Sequence, residues 1–464
     1  MTTPTRAPLA LTPSLLDALT QRLQELMAEH HVPGVAVGLL TPEGPHELCL
    51  GVTNVENSLP VTPDTLFQIG STTKTVTATA LMRLVEEGRV DLDAPVRTYL
   101  PDLRLMDEDA AARVTVRQLL NHTGGWVGDY FENTGNGDDA LARIVANLVH
   151  QEQVTPLGEV WSYNNAAFYI AGRVIEVMTG ETYEAAARRL VLDPLGMQES
   201  FFFQDDVMTR SFVVGHIVKD GQPMVARPWG LGRNTSPAGG LASSVRDQLT
   251  YARFHLGDGT TASGERLLTP ESMQLMQTPT VSASGGREMG VSWFVRDQGG
   301  IRFVQHGGAT NGQMSAFVLA PELGFAFTSL TNADHGHFLN QQLEGWVWEH
   351  LLNLPPEEPA YLDVEGDMLD EVVGRYLAFG TFGGGMVVSR RGQELELEQM
   401  PEDTSAIAET EQDLLPPAPV RFYAPDRMVV TGGVMKGARL EVLRGTDGRV
   451  QWLRAGRVMR REQE

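Results

Sequence analysis

A single cysteine, Cys49, stands in 464 residues, so no disulfide can form within the chain. No apolar run reaches the roughly 18 residues that a membrane-spanning helix needs. The N-terminus, Met1 to Leu9, has no long apolar core of the secretory type. A cytoplasmic protein is the expectation. Positive charge is scarce: 36 Lys and Arg stand against 59 Asp and Glu, a net charge of −23. Such acidity makes nucleic acid and anionic membrane surfaces poor partners. A small-molecule substrate is expected instead, with self-association left open. No G-x-S-x-G elbow occurs, which argues against an α/β-hydrolase. The histidines form no convincing metal set, since the compact Asp334-His335-Gly336-His337 has no distant partner. No metal and no other cofactor is expected. Short-period repeats are absent too.

What is present is enough for a sizeable core: 42% of residues are hydrophobic, and the length suggests two or three domains. Ser14 to His31 reads as an amphipathic helix, with Leu15, Leu16, Leu19, Leu23, Leu26 and Met27 on one side. Val32 to Leu40 reads as a buried strand, and Glu47 to Val52 as its hairpin partner across Pro42-Glu43-Gly44-Pro45. Helix, then antiparallel strands, with no βαβ alternation, indicates an α+β opening. Val116 to Leu120 reads as a short helix, Ala166 to Met178 as an apolar one, and a third helix runs to about Leu256. Four antiparallel strands follow at Val291–Val295, Ile301–Gln305, Met314–Ala320 and Gly324–Thr331. A helix, Phe338 to Leu352, closes the region. Pro355-Pro356-Glu357-Glu358-Pro359 marks a linker. Beyond a short helix near Asp367 to Tyr376, alternation such as Glu394-Leu395-Glu396-Leu397-Glu398 and the Thr446-Asp447-Gly448 turn predict a small all-β barrel or sandwich. The divisions are then a disordered 1–11, a main domain 12–352, a linker 353–366 and a β domain 367–464. Met400 to Pro416 is polar and acidic and reads as a loose loop.

The chain is organised around Phe67-Gln68-Ile69-Gly70-Ser71-Thr72-Thr73-Lys74. A short strand meets a glycine, and a helix begins at a serine. Leu81, Leu84 and Val85 recur at helical spacing, and Gly88 suits the C-terminal cap. Ser71 and Lys74 are therefore i and i+3 on the first turn, on one face. A serine hydroxyl needs a neighbouring base to become a nucleophile. A lysine can be that base if burial and nearby positive charge lower its pKa. The helix N-terminus adds backbone N–H groups that favour a developing oxyanion. S-x-x-K alone is a short motif met by chance.

Two further clusters follow in chain order: Tyr163-Asn164-Asn165 and His306-Gly307-Gly308-Ala309. Together the three resemble the serine β-lactamase and penicillin-binding-protein superfamily, in which S-x-x-K is joined by an S-D-N-type and a K-T-G-type motif. The Tyr-x-Asn form is similar to the class C branch with its esterases, D-aminopeptidases and DD-peptidases. Leu119-Leu120-Asn121-His122-Thr123-Gly124-Gly125, Asp193-Pro194-Leu195-Gly196-Met197 and Pro237-Ala238-Gly239-Gly240-Leu241 fit that branch. The resemblance covers roughly residues 12–352. It implies an antiparallel sheet flanked by helices, with an all-helical subdomain. It also implies a metal-independent serine hydrolase in which Ser71 forms an acyl-enzyme. Lys74 would be the general base, and Tyr163 a partner base that hands a proton to the leaving group. Asn165 would hydrogen-bond Lys74 or a substrate amide. The N–H groups of Ser71 and Ala309 would form the oxyanion hole, with His306, Gly307 and Gly308 lining the substrate site.

The chain departs from a β-lactamase at the third motif. His306 stands where lysine would hold a β-lactam carboxylate, and a histidine is mostly neutral at pH 7. An acidic loop, Asp129 to Asp139, would repel carboxylates further if it lines the pocket. A neutral or amine-bearing substrate is expected: a small ester, an amide or a D-amino-acid peptide. The alternatives are a β-lactamase or DD-carboxypeptidase and, in another class, a catalytically silent penicillin-recognising protein. The β-rich tail resembles the barrels that some D-aminopeptidases attach after the hydrolase domain. Covering the cleft or mediating oligomerisation is expected of it, with Gly380 to Gly385 a stretch that could reach the cleft.

Overall fold

The computed structural model describes residues 10–356, 359–364, 366–380, 384–400, 415–433 and 435–463. Among them, eight strands join in one antiparallel sheet. Their order is Gly44–Gly51, Gly34–Thr41, Phe325–Thr331, Gln313–Ala320, Ile301–Thr310, Phe294–Gln298, Glu288–Met289 and Val281–Ser282. Gly34–Thr41 is buried at all eight positions, because helices cover both faces. Val35, Val37 and Leu39 pack with Leu19, Leu23 and Leu26 of the Pro13–Glu29 helix and Leu339, Leu343 and Val347 of the Gly336–Leu351 helix. Ala36 and Leu40 belong to the core on the other side, with Leu81, Leu84, Val245 and Leu249. A strand sandwiched this way reads as a continuous apolar run. Each fully buried leucine contributes about 2 kcal/mol.

The helix that follows Ser71, Thr73–Glu86, is buried on nearly every side, including its threonines. Those hydroxyls are satisfied. Thr75 donates to the Thr72 carbonyl at 2.8 Å and Thr79 to the Thr75 carbonyl at 2.9 Å. Thr77 donates to the Pro237 carbonyl at 2.7 Å. Bonding back to the preceding turn lets a polar sequence run through a core. Around this helix stand Val116–Leu120, Ala140–Asn147, Asn165–Thr179 and Tyr183–Ala187, a helical region beside the sheet.

Residues 353–356 and 359–364 are irregular. Gly366–Val372 is a helix, but the helix predicted to Tyr376 ends there: Gly374–Leu377 is a strand, whose Tyr376 is buried in the β core. Among the described residues, eight strands then close into a barrel that starts with Gly374–Leu377 and ends with Val458–Arg461. The seam pairs Tyr376 with Arg461 and Leu377 with Arg460. Closure removes sheet edges. Leu395, Leu397, Val420, Phe422, Met428 and Leu453 fill the interior, plugged by Leu369 and Val372 of the short helix. The Glu394–Met400 strand shows the predicted alternation, with Leu395 and Leu397 inward. The loop predicted over Met400 to Pro416 falls largely on residues 401–414, outside the described residues. So do residues 1–9 of the expected disordered N-terminus and residues 381–383 of the glycine stretch.

Candidate active site

Ser71 sits in a single 3-10 turn, Gly70–Thr72, that feeds the Thr73–Glu86 helix. Lys74, one turn on, is fully buried. Its Nζ lies 3.0 Å from Ser71 Oγ and donates to the Ala238 carbonyl at 2.6 Å. Burial pushes the amine pKa well down, and the Arg457 guanidinium pushes it further. A lowered pKa is what a lysine needs in order to act as a base. The Pro237–Leu241 segment braces this end of the helix: Ile69 N–H donates to the Leu241 carbonyl at 3.0 Å, and Leu241 N–H to Thr73 Oγ1 at 3.2 Å.

The sequence placed His306 to Ala309 between two strands. The structure corrects this: Ile301–Thr310 is one unbroken strand that carries all four residues past the nucleophile. Pairing with Gln313–Ala320 extends to Thr310↔Gln313, so the strand has no reason to end early. Two glycines allow the approach. A Cβ on Gly308 would sit 1.9 Å from the Ile69 carbonyl oxygen and 2.7 Å from Ser71 N. A Cβ on Gly70, whose φ is +51°, would sit 2.6 Å from Ala309 N. The Ser71 and Ala309 amides are thereby brought to one place, as an oxyanion hole requires. Ser315 ties strand to turn, donating to the Ile69 carbonyl at 2.8 Å.

His306 is buried, with Nδ1 donating to the Gly307 carbonyl at 2.6 Å. Burial first, then the nearby Lys74, pushes its pKa down to about 3. It is a neutral ring at neutral pH. Among the described residues, Nε2 is buried with no hydrogen-bond partner. Gly307 is exposed beside it.

Tyr163 stands just before the Asn165–Thr179 helix, which Asn164 caps by accepting from Ala167 N–H. The Tyr163 hydroxyl shares a hydrogen bond with Ser71, while burial pushes the phenol pKa up. Lys74 Nζ lies 5.0 Å from its ring centroid. His122 stacks on the same ring with centroids 4.4 Å apart. Its Nδ1 accepts from Asn164 N–H at 3.0 Å, so this histidine too is neutral. A left-handed backbone, φ +59°, aims it there. Sequence reasoning noted His122 as context and missed it as the wall of the tyrosine.

Asn165 does not meet Lys74. Its Nδ2 donates to Asp129 Oδ1 at 2.7 Å. Asp129 is paired with Arg457, whose Nη2 donates to Oδ1 at 3.0 Å. The charge of Asp129 is therefore compensated within the site. Glu132 binds the Tyr130 hydroxyl and Asn147, Asp138 pairs with Arg233, and Asp139 with Arg143. Arginines thus compensate Asp129, Asp138 and Asp139, whereas Glu132 is met by the neutral Tyr130 hydroxyl and Asn147 amide.

Arg457 comes from the barrel, on the turn between its last two strands, and its guanidinium lies 4.9 Å from the Tyr163 ring centroid. The backbone of Gly456 accepts from Tyr163 N–H at 3.1 Å, and Val458 N–H donates to Ser162 Oγ at 3.2 Å. Arg454 and Glu441, both buried, form an ion pair at 2.6 Å, and Arg454 reaches the Trp161 carbonyl at 3.2 Å. Val127, Val154 and Val458 seal the junction. Gly380 sits so close to the Asp129 carbonyl that a Cβ would lie 2.5 Å from it. A cavity of about 480 Å³ opens here, lined by Trp126, Asp129, Tyr163, Phe379, Gln399 and Arg457. Among the described residues, no cluster of His, Cys, Asp and Glu could hold a metal, and no helix is long and apolar enough to cross a membrane.

Fold and site together bring an S-x-x-K turn, a tyrosine at the serine and a strand laid across that turn onto one antiparallel sheet. The chain belongs to the β-lactamase family, whose sequence model matches residues 19–352, and membership implies a serine hydrolase. Penicillin-binding protein 4 of Amycolatopsis lactamdurans is 34% identical over 362 residues, 74% of this chain and 94% of its own. An unguisin hydrolase of Aspergillus campestris is 25% identical over 77% of this chain and 71% of its own. Among solved structures, SurE superposes with a TM-score of 0.73 at 26% identity, covering 96% of this chain and 99% of its own. That coverage includes the barrel.

Proposed function

We propose that the protein is a serine hydrolase that works through an acyl-enzyme on small esters, amides or D-amino-acid peptides. The observation that carries this reading is the buried Lys74 amine 3.0 Å from Ser71 Oγ. Lys74 takes the Ser71 proton as Oγ bonds to the substrate carbonyl carbon. The carbonyl π pair moves onto oxygen, where the Ser71 and Ala309 N–H groups receive it. An oxyanion donor of this kind contributes about 3 kcal/mol. The bond to the leaving group breaks, and the leaving atom takes the proton through the Tyr163 hydroxyl. Water then attacks the acyl carbon, gives its proton to the same pair, and frees the acid and Ser71. A raised phenol pKa suits Tyr163 to carry a proton rather than to rest as phenolate. The neutral His306 offers no fixed charge for a carboxylate, which supports neutral esters and amides. SurE, solved also with D-Leu at 26% identity, supports a substrate with a D-amino acid, and the relative named as a hydrolase of unguisins supports hydrolysis.

A second reading, acylation by β-lactams, is favoured by the relative named penicillin-binding protein 4. Intact mass after mixing with p-nitrophenyl acetate, penicillin and a D-alanine amide tests both, with Ser71→Ala as control. A Ser71-dependent adduct or turnover is expected, and the fastest substrate chooses the subclass. A stable penicillin adduct without turnover of any substrate would favour a silent penicillin-recognising protein. Neither adduct nor turnover with any of them refutes the hydrolase.

A further inference from the structure

A neutral His306 leaves the third motif without a cation, yet one stands beside Tyr163. It is Arg457, and the barrel supplies it. The guanidinium lies 4.9 Å from the Tyr163 ring centroid, where a cation favours electron density on the ring. Asp129 anchors it and is itself held by Asn165 at 2.7 Å. The backbone on either side is fixed to the segment that bears Tyr163, through Gly456 and Val458, and Gly456 N–H also donates to Ser284 Oγ at 3.0 Å.

We propose that Arg457 is a positioning residue of the hydrolysis: a barrel-borne cation that stands in for a third-motif lysine and acts through Tyr163 and Lys74. This rests on the serine-hydrolase reading above. The groups that face the pair come from every side. Lys74 and Ser71 lie on the nucleophile turn, His122 on the turn after Val116–Leu120, and Asp129 on the long loop. Tyr169 belongs to the Asn165–Thr179 helix, and Arg287 and His306 to the sheet edge. Both histidines are neutral. Asp129 opposes the cation, but the effect of Arg457 exceeds it at both Lys74 and Tyr163. Arg287 acts on Tyr163 more weakly than either. A cation favours the unprotonated amine and the ionised phenol alike. Removing it raises both pKa values, so the base is lost at a higher pH.

The test is the rate at which a fluorophosphonate probe labels Ser71 in the full-length protein, followed from about pH 5 to about pH 10. Wild type, Arg457→Met, Arg457→Lys and Asp129→Asn are compared, with Ser71→Ala as the blank. The acid limb should move up by about one pH unit in Arg457→Met. It should return close to its original place in Arg457→Lys and move down in Asp129→Asn. A slower Arg457→Met with an unmoved limb overturns the inference, because damage to packing alone lowers the rate without moving the profile. Should Arg457→Met fail to fold, Asp129→Asn decides: a downward shift supports the inference and an unmoved limb sinks it. A wild type that never labels refutes the hydrolase reading itself, an outcome separate from an unshifted profile.

Discussion

One site is assembled here in two ways. Its nucleophile end is local: Ser71 and Lys74 are three residues apart, and helical geometry alone puts them on one face. Its far end is remote: Arg457 meets Asp129 across 328 residues of chain. The local end is laid down by a turn and a buried helix, then braced by the Ala238 carbonyl and Leu241. The remote end needs a closed barrel and a docked one, held at a junction by Arg454, Glu441 and the Gly456 backbone. The local end is therefore robust and recognisable from sequence, whereas the remote end stands or falls with docking.

The comparison breaks first at Lys74. Lys74→Met should slow fluorophosphonate labelling of Ser71 by at least about 10³-fold, within the range of general-base catalysis. The melting temperature should hold or rise, because an apolar side chain replaces a fully buried amine. Labelling within tenfold of wild type would place the base elsewhere than on the local turn.

At the remote end the largest effect is on stability. Arg454→Met takes from Glu441, 4% exposed, its ion-pair partner at 2.6 Å and leaves Arg427 at 3.8 Å. Breaking one member of a buried pair costs about 3–5 kcal/mol. Urea unfolding should show that loss, and the double variant Glu441→Gln with Arg454→Met should recover most of it. Equal losses in the single and double variants would mean that the cost lies in the contacts of Arg454 with the Trp161 and Ala283 carbonyls and not in an uncompensated Glu441.

Between the two ends lies the strand that crosses the nucleophile. Gly308→Ala should lower labelling by about 10²-fold, roughly the loss of one oxyanion donor, since its Cβ would meet the Ile69 carbonyl. Labelling unchanged from wild type would show that the strand can move without disturbing the amides.

The same contrast governs what the sequence could tell. The hairpin Gly34–Thr41 to Gly44–Gly51, the nucleophile helix and the alternating Glu394–Met400 strand were all legible, because period and turn chemistry are local. The third motif was legible as residues but not as backbone: two glycines after a histidine read as a break, and only pairing with Gln313–Ala320 shows that the strand runs on. Tyr376 was read as the end of a short helix that begins near Asp367, yet the barrel seam takes it as strand. Lysine scarcity was a signal left unused: Lys74, Lys219 and Lys436 are the three lysines in the chain, which makes a chance S-x-x-K less frequent than it looks. Arg457 had no signal at all, being one arginine among many until the barrel docks. Asp129 was seen as a pocket charge and Asn165 as a lysine partner, because neither reading could include that arginine.

The smallest effect sharpens the comparison most. His306 belongs by sequence to the local motifs, yet its proton affinity is set by tertiary burial. Its folded pKa of about 3 lies below the ordinary 6.5, so the unfolded chain binds the proton more readily. Stability from this group is complete above about pH 6.5 and falls as pH drops toward 3. His306→Gln keeps a neutral side chain, so labelling at neutral pH should stay within about threefold of wild type. The acid unfolding midpoint should move slightly lower, and only slightly, because His122 and His255 are shifted the same way. A large loss of labelling in His306→Gln, with a normal melt at neutral pH, would show that His306 carries charge in the working site. The cation would then be local after all, and Arg457 would be left as the clasp of the barrel.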